Sequence, residues 1–77
     1  MDEMERNLGP QPIAAAMEEL GISAHDIVAA SAVQMTHKMV ARAVKGRRLT
    51  PNTKRIVREA FSRAAGREFS DSDLFNY

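Results

Sequence analysis

The sequence predicts an all-α domain of five short helices in a chain of 77 residues. Apolar residues recur at helical spacing, first at Ile13, Ala16, Met17 and Leu20. Such spacing puts them on one face of a helix. Helix-capping residues precede the apolar runs and glycines follow them, as expected at helix ends. No stretch of useful length alternates between apolar and polar residues, so we expect no strands.

Proline and glycine mark the limits of the first helix. Pro10 and Pro12 indicate its entry, because the fixed φ of proline suits the first helical turn. Gly21 is typical of a residue that ends a helix in the left-handed conformation. The spacing therefore predicts a first helix that begins near Ile13 and ends just before Gly21.

The second helix is predicted over about 23–31. Ser23 is a suitable N-cap, and the acidic Asp26 three positions later completes a variant of the capping box. Ile27 then faces inward. The segment 32–35 has no clear periodicity, and we interpret it as the turn before the next helix.

The third helix is predicted over about 36–45, with Thr36 as its N-cap and Gly46 after its end. One side of this helix carries Val40, Ala43 and Val44. Another side carries Lys38, Arg42 and Lys45. The helix is therefore divided between an apolar stripe for the core and a basic stripe.

The fourth helix has a strong start signal, with Thr50 as N-cap and Pro51 at the first helical position. Gly66 is expected to end it, and Leu49 in the preceding loop is expected to fill the core. Its inward face is predicted to hold Ile56, Val57, Ala60, Phe61 and Ala64. A short fifth segment, capped by Ser70, is predicted to run from 71 to 76.

Composition limits what this domain can do. Hydrophobic residues make up 44% of the chain, but twelve of them are alanines, so the core is thin. The absence of cysteine excludes disulfides and thiolate zinc sites, and the two histidines show no metal-ligand spacing.

We expect a flexible arm over 1–9 and a single domain over 10–77. No catalytic residue, cofactor, metal or membrane segment is expected, and the protein is expected to be soluble and intracellular.

The charges are distributed unevenly along the chain. Residues 1–36 hold six carboxylates against the single cation Arg6, a net charge of −5. Residues 37–67 hold ten lysines and arginines against Glu59 alone, a net charge of +9. Residues 68–77 contribute −3, which leaves the whole chain at +1. A basic block in a nearly neutral chain is typical of a polyanion-binding face, whereas a merely solvated surface usually interleaves the two signs.

Two short helices joined by a turn, the second of them basic, are the parts of a helix-turn-helix. The start of the second helix must present small or polar side chains to base edges in the major groove. The candidate base-facing residues are Thr36, His37, Lys38, Ala41 and Arg42. The flanking elements must hold the DNA backbone. The candidate phosphate-binding residues are Gln34, Lys45, Arg47, Arg48, Asn52 and Lys54.

Three strings of residues resemble a known family. The string VARAVKGRRLTP at 40–51 is similar to the end of a recognition helix, the basic loop and the next helix start. SAHDIV at 23–28 resembles a helix-two start, and DLF at 73–75 resembles a short closing segment. Together they resemble the Cro-like (XRE-type, lambda-repressor-like) helix-turn-helix domains. Segment 26–46 also resembles the headpiece of lactose-repressor-type regulators.

Both resemblances imply a compact helix-turn-helix domain that binds double-stranded DNA sequence-specifically, commonly as a homodimer on palindromic sites. They imply a small transcriptional regulator or repressor in the cytoplasm, bacterial or phage-encoded and associated with the nucleoid. The sequence departs from the family pattern in two places. The turn before the third helix is longer, with the extra residues at about 32–34 if Met35 fills its apolar slot, and Ala24-His25 replaces a glutamine common at the start of helix two.

Several interpretations of the sequence remain open. The acidic N-terminal arm and the modest net charge also fit a protein-interaction module on a helix-turn-helix shell, such as an antitoxin or an adaptor with a protein partner. His37 fits a DNA contact or a surface position, and His25 is expected to be a surface residue. The aromatic residues of the tail either complete the core or form a self-association patch: Phe69, Phe75 and Tyr77.

Overall fold

Five helices dominate the computed structural model, which describes residues 9–77. They are α1 (Pro12–Leu20), α2 (Ala24–Ala30), α3 (His37–Lys45), α4 (Pro51–Ala65) and α5 (Asp71–Leu74). No strand occurs within 9–77, which confirms the all-α class with five helices. The predicted arm, apart from Gly9, lies outside the described residues. None of the helices described is long and apolar enough to cross a membrane.

The capping interactions predicted from the sequence are present. The Ser23 hydroxyl accepts a hydrogen bond from the Asp26 N–H at 3.1 Å, and the Ser23 N–H donates to the Asp26 carboxylate at 2.9 Å. Thr50 caps α4 by accepting from the Thr53 N–H at 3.2 Å. These bonds satisfy backbone donors that have no partner within the first helical turn.

Gly46 is required at the end of α3 for two reasons. Its φ of 88° lies in the left-handed region, where residues with a Cβ are strained. In addition, a Cβ at this position would lie 1.8 Å from the carbonyl oxygen of Gly9. The reversal lets the Arg47 N–H return to the Arg42 carbonyl at 3.0 Å, which closes the helix end.

The core takes buried residues from all five helices. Helix α2 packs against both α3 and α4, while α1 packs against α3 and α5. Ile27 and Phe61 are completely buried, and Leu49 is buried from the loop as predicted. Met35, in the segment 31–36 between α2 and α3, is also buried.

Gln11 forms hydrogen bonds to three parts of the chain. No sequence pattern predicted a structural role for this residue. It is buried, with an exposed fraction of 2%. Its N–H donates to the Val44 carbonyl at 3.2 Å, and its side-chain Nε2 donates to the Gly9 carbonyl at 2.9 Å. Its Oε1 accepts from the Asn76 N–H at 2.8 Å. The entry to α1 is thereby connected to the end of α3 and to the tail.

The prediction that the fifth segment is helical as far as residue 76 is wrong. Helix α5 ends at Leu74, and Phe75 has an extended backbone with φ −134° and ψ 148°. The reason is a competing set of tertiary contacts. The Asn76 N–H bonds to Gln11 instead of to a carbonyl in the preceding turn. Phe75 is buried, which supports the core role of this ring.

Candidate nucleic-acid-binding surface

Helix α3 presents opposite faces to the core and to solvent. Its start is fixed by Thr36, whose hydroxyl accepts from the Met39 N–H at 3.2 Å. Val40 and Ala43 are buried on the inner face. The outer face exposes Lys38, Ala41, Arg42 and Lys45, as the stripe in the sequence predicted. Ala41 gives this face a small residue between longer cationic ones.

The outer face of α3 continues into the loop that follows it. One shallow depression is bordered by Lys38, Ala41, Arg42, Lys45 and Arg47. An adjoining depression is bordered by Thr36, Lys38, Met39, Arg42, Arg48, Leu49, Thr50 and Thr53. Because the two depressions share Lys38 and Arg42, they form one continuous surface. We name its charged residues the α3 cation surface: Lys38, Arg42, Lys45, Arg47 and Arg48.

The α3 cation surface has no neutralising partner within the chain described. None of its five side chains forms an ion pair with a carboxylate in residues 9–77. All five are exposed. Five positive charges grouped without counter-charges create a positive potential that attracts a polyanion. This is the electrostatic character that a nucleic-acid-binding face requires.

His37, the first residue of α3, lies next to His25 near the start of α2. The two rings are stacked, with centroids 5.8 Å apart and an angle of 19° between their planes. This contact brings His25 to the edge of the candidate surface, although its sequence position indicated only a surface residue. Residues 9–77 contain no group of three or more His, Cys, Asp or Glu side chains suited to a metal ion.

Gln34 precedes α3 in the chain and Asn52 follows it, and both side chains are exposed to solvent. Gln34 lies in the turn over 31–36, close in sequence to the Thr36 cap. The Asn52 Oδ1 accepts a hydrogen bond from Arg55 Nη2 at 2.7 Å. This bond fixes the amide of Asn52 and leaves its N–H₂ group as a donor for another partner.

Lys54 differs from the other candidate phosphate-binding residues. It is half-buried, and its ammonium donates a hydrogen bond to the main-chain oxygen of Tyr77. The ammonium also lies 4.2 Å from the centroid of the Tyr77 ring and 5.6 Å from that of Phe75. The structure therefore groups Lys54 with the tail and not with the α3 cation surface. A local pattern could not have indicated this contact, since its partners are 23 residues apart.

No protein-family model matches the chain, and no curated protein or solved structure matches it either. Function is therefore inferred from the chemistry of the α3 cation surface and of the residues beside it.

Proposed function

We propose that this chain binds duplex DNA as a lambda-repressor-like helix-turn-helix domain, with α2 and α3 as its two helices. The observation that carries the proposal is the α3 cation surface, five exposed cations without an acidic partner in the described part of the chain. A single α-helix fits the width of the DNA major groove. Helix α3 meets this requirement because its outer face is exposed and its inner face anchors it to the core.

In the proposed complex, the exposed face of α3 between Thr36 and Arg42 reads base edges. Arg42 reaches a guanine through two hydrogen bonds, the most common specific contact in the major groove. Thr36, His37 and Lys38 lie at the exposed start of the helix, within reach of neighbouring bases. The small Ala41 lets the helix approach the groove closely.

The residues around α3 hold the DNA backbone in this proposal. Arg47 and Arg48 follow α3 in an exposed loop, and Lys45 is in the last turn of the helix. Gln34 and Asn52 supply neutral donors on the two sides. Phosphate contacts of this kind position a protein on DNA without reading sequence. Lys54 can contact a phosphate only if its ammonium breaks its contacts with Tyr77.

We further propose that two copies bind together and occupy an operator as a transcriptional repressor. A symmetric dimer matches a two-fold DNA site whose half-sites lie one helical turn apart. The mechanism is occupancy of the site, with no chemical step. The proposed setting is the cytoplasm of a bacterium, with the gene on the host or a phage chromosome.

The test is a fluorescence-anisotropy titration of a labelled random-sequence duplex at 50 and 200 mM salt. Each neutralised phosphate releases counterions, so the affinity is expected to fall by roughly 10²- to 10³-fold between these concentrations. Binding that does not respond to salt would contradict an electrostatic surface. The stoichiometry at saturation also tests the dimer, since two copies per short operator-length site are expected.

The alternative is a protein-interaction module on the same helical shell. It predicts no duplex binding by the isolated chain at low salt. A chain that binds DNA only after a protein partner is added would therefore favour the alternative and contradict the leading proposal.

A further inference from the structure

The phenol of Tyr77 forms two hydrogen bonds to the main chain of the loop that follows α3. Its oxygen accepts a hydrogen bond from the Leu49 N–H at 3.1 Å, and its O–H donates to the Arg47 carbonyl at 3.4 Å. One hydroxyl thereby satisfies a donor and an acceptor two residues apart. Leu49 is buried, so its N–H has little access to water as a replacement partner.

The residue between these two bonds is Arg48, which belongs to the α3 cation surface. We propose that Tyr77 is a positioning residue for this surface: by holding the main chain on both sides of Arg48, it keeps that side chain beside α3. This inference rests on the proposed DNA binding and adds a residue that would not touch DNA. Tyr77 would affect duplex binding only by fixing the conformation of the loop around Arg48.

Tyr77 is itself held in place from two sides. Its ring meets the Phe75 ring edge-on, with centroids 5.8 Å apart. Lys54 contacts both the ring and the main-chain oxygen of the tyrosine. Phe75 is buried in the core, and Lys54 is in the first turns of α4. A loop fixed through such a side chain loses less freedom on binding, which strengthens binding without a new contact.

The discriminating variant is Tyr77→Phe, because it removes the hydroxyl and keeps the ring over Lys54. It is combined with Arg48→Ala in a double-mutant cycle, with binding to random-sequence duplex as the readout. Val57→Ala is the control for general loss of stability, since Val57 is fully buried in the middle of α4. Amide hydrogen exchange at Leu49 is followed in each variant without DNA.

We expect Tyr77→Phe to weaken duplex binding by about 3- to 10-fold in the wild-type background and by less than about 2-fold when Arg48 is already alanine. The Leu49 amide should exchange faster in Tyr77→Phe, while the Val57 amide keeps its rate. Val57→Ala should leave the affinity of the folded protein unchanged.

An equal loss of affinity in both backgrounds would overturn the positioning role and leave the proposed function intact. Unchanged exchange at Leu49 would also overturn it, because the loop would not depend on the hydroxyl. If the wild-type chain does not bind duplex at all, the proposed function fails, and the positioning role for a DNA surface fails with it.

Discussion

Within residues 9–77, the basic residues of α3 and its following loop have no acidic partners, whereas Arg55 and Arg58 on α4 do. Arg55 lies 3.3 Å from a carboxylate oxygen of Glu59, one helical turn away. Arg58 Nε lies 2.9 Å from Asp71 at the start of α5. We name these four residues the α4 ion-pair face. The α3 cation surface has no such contact in the described residues.

The contrast shows that a count of basic residues does not locate a binding surface. The net charge of +9 over 37–67 includes arginines from both regions. On α4 the charges of Arg55 and Arg58 are paired with carboxylates within the fold, and surface pairs of this kind contribute modestly to stability. The cations of α3 and its following loop have no carboxylate partner in the described residues and are open to a polyanion. The presence of a carboxylate partner therefore distinguishes Arg55 and Arg58 from the α3 cation surface, whose side chains are available to a polyanion.

The largest expected effect comes from two matched double variants. Arg42→Ala with Arg48→Ala removes two charges from the α3 cation surface, and Arg55→Ala with Arg58→Ala removes two from the α4 ion-pair face. The first pair should weaken binding to random duplex by about 100-fold at low salt, since it removes two DNA contacts. The second should weaken it by less than about 3-fold. Similar losses in the two variants, measured by anisotropy, would remove the distinction between the regions.

Single variants sharpen the comparison within the α3 cation surface. Arg42→Ala should cost about 1–3 kcal/mol on a selected site and relax the preference at one base pair. Arg48→Ala should weaken binding to every sequence by the same factor, because a phosphate contact carries no sequence information. Competition between a selected duplex and random duplex measures both effects. Equal losses on the two DNAs for Arg42→Ala would contradict its base-reading role.

The pH dependence of stability tests two helix caps, one at the start of α2 and one at the start of α5. Hydrogen bonds from the backbone and side chain of Ser23 hold the pKa of Asp26 below its usual 3.8. The corresponding bonds from Ser70 lower the pKa of Asp73 in α5. The unfolded chain lacks these bonds and takes up protons at higher pH. The stabilisation is therefore present above about pH 4 and is lost as the pH falls through the folded-state values.

Urea unfolding between pH 7 and pH 2 measures this dependence. The free energy of unfolding should fall less steeply with acid in Asp26→Asn and in Asp73→Asn than in the wild type. An unchanged slope in both variants would contradict the role of the capping carboxylates.

The smallest expected effect is that of Arg58→Ala alone. Its ion pair with Asp71 is short but partly exposed, with exposed side-chain fractions of 29% and 53%. Pairs of this kind contribute about 0.2–1 kcal/mol, and the contribution falls at high salt. Urea unfolding at two salt concentrations measures it. Duplex affinity should not change, and a loss above about 3-fold would extend the binding surface onto α4.

Helix ends were predictable from the sequence because the physics that sets them is local. Ser23, Thr36 and Thr50 each accept a backbone hydrogen bond from three residues ahead, as expected for N-caps. Gly46 and Gly66 end their helices in the left-handed conformation. The outward position of the basic stripe on α3 also followed from the helical period.

The contacts that the sequence did not reveal join residues distant along the chain. Gln11 meets Asn76 across 65 positions, and Tyr77 meets Leu49 across 28. The same kind of contact ends α5 earlier than its cap pattern indicated and draws Lys54 toward the tail. No local propensity reports such pairings, because they depend on how the helices pack.

The most direct test of the central claim is an NMR titration of the labelled chain with random-sequence duplex, with the amide shifts compared between the two regions. We predict that the shifts concentrate at 34–54, that they weaken steeply when the salt is raised, and that the amides of the α4 ion-pair face change little. Shifts centred on the α4 ion-pair face, or no shifts at low salt, would contradict the assignment of the α3 cation surface to DNA.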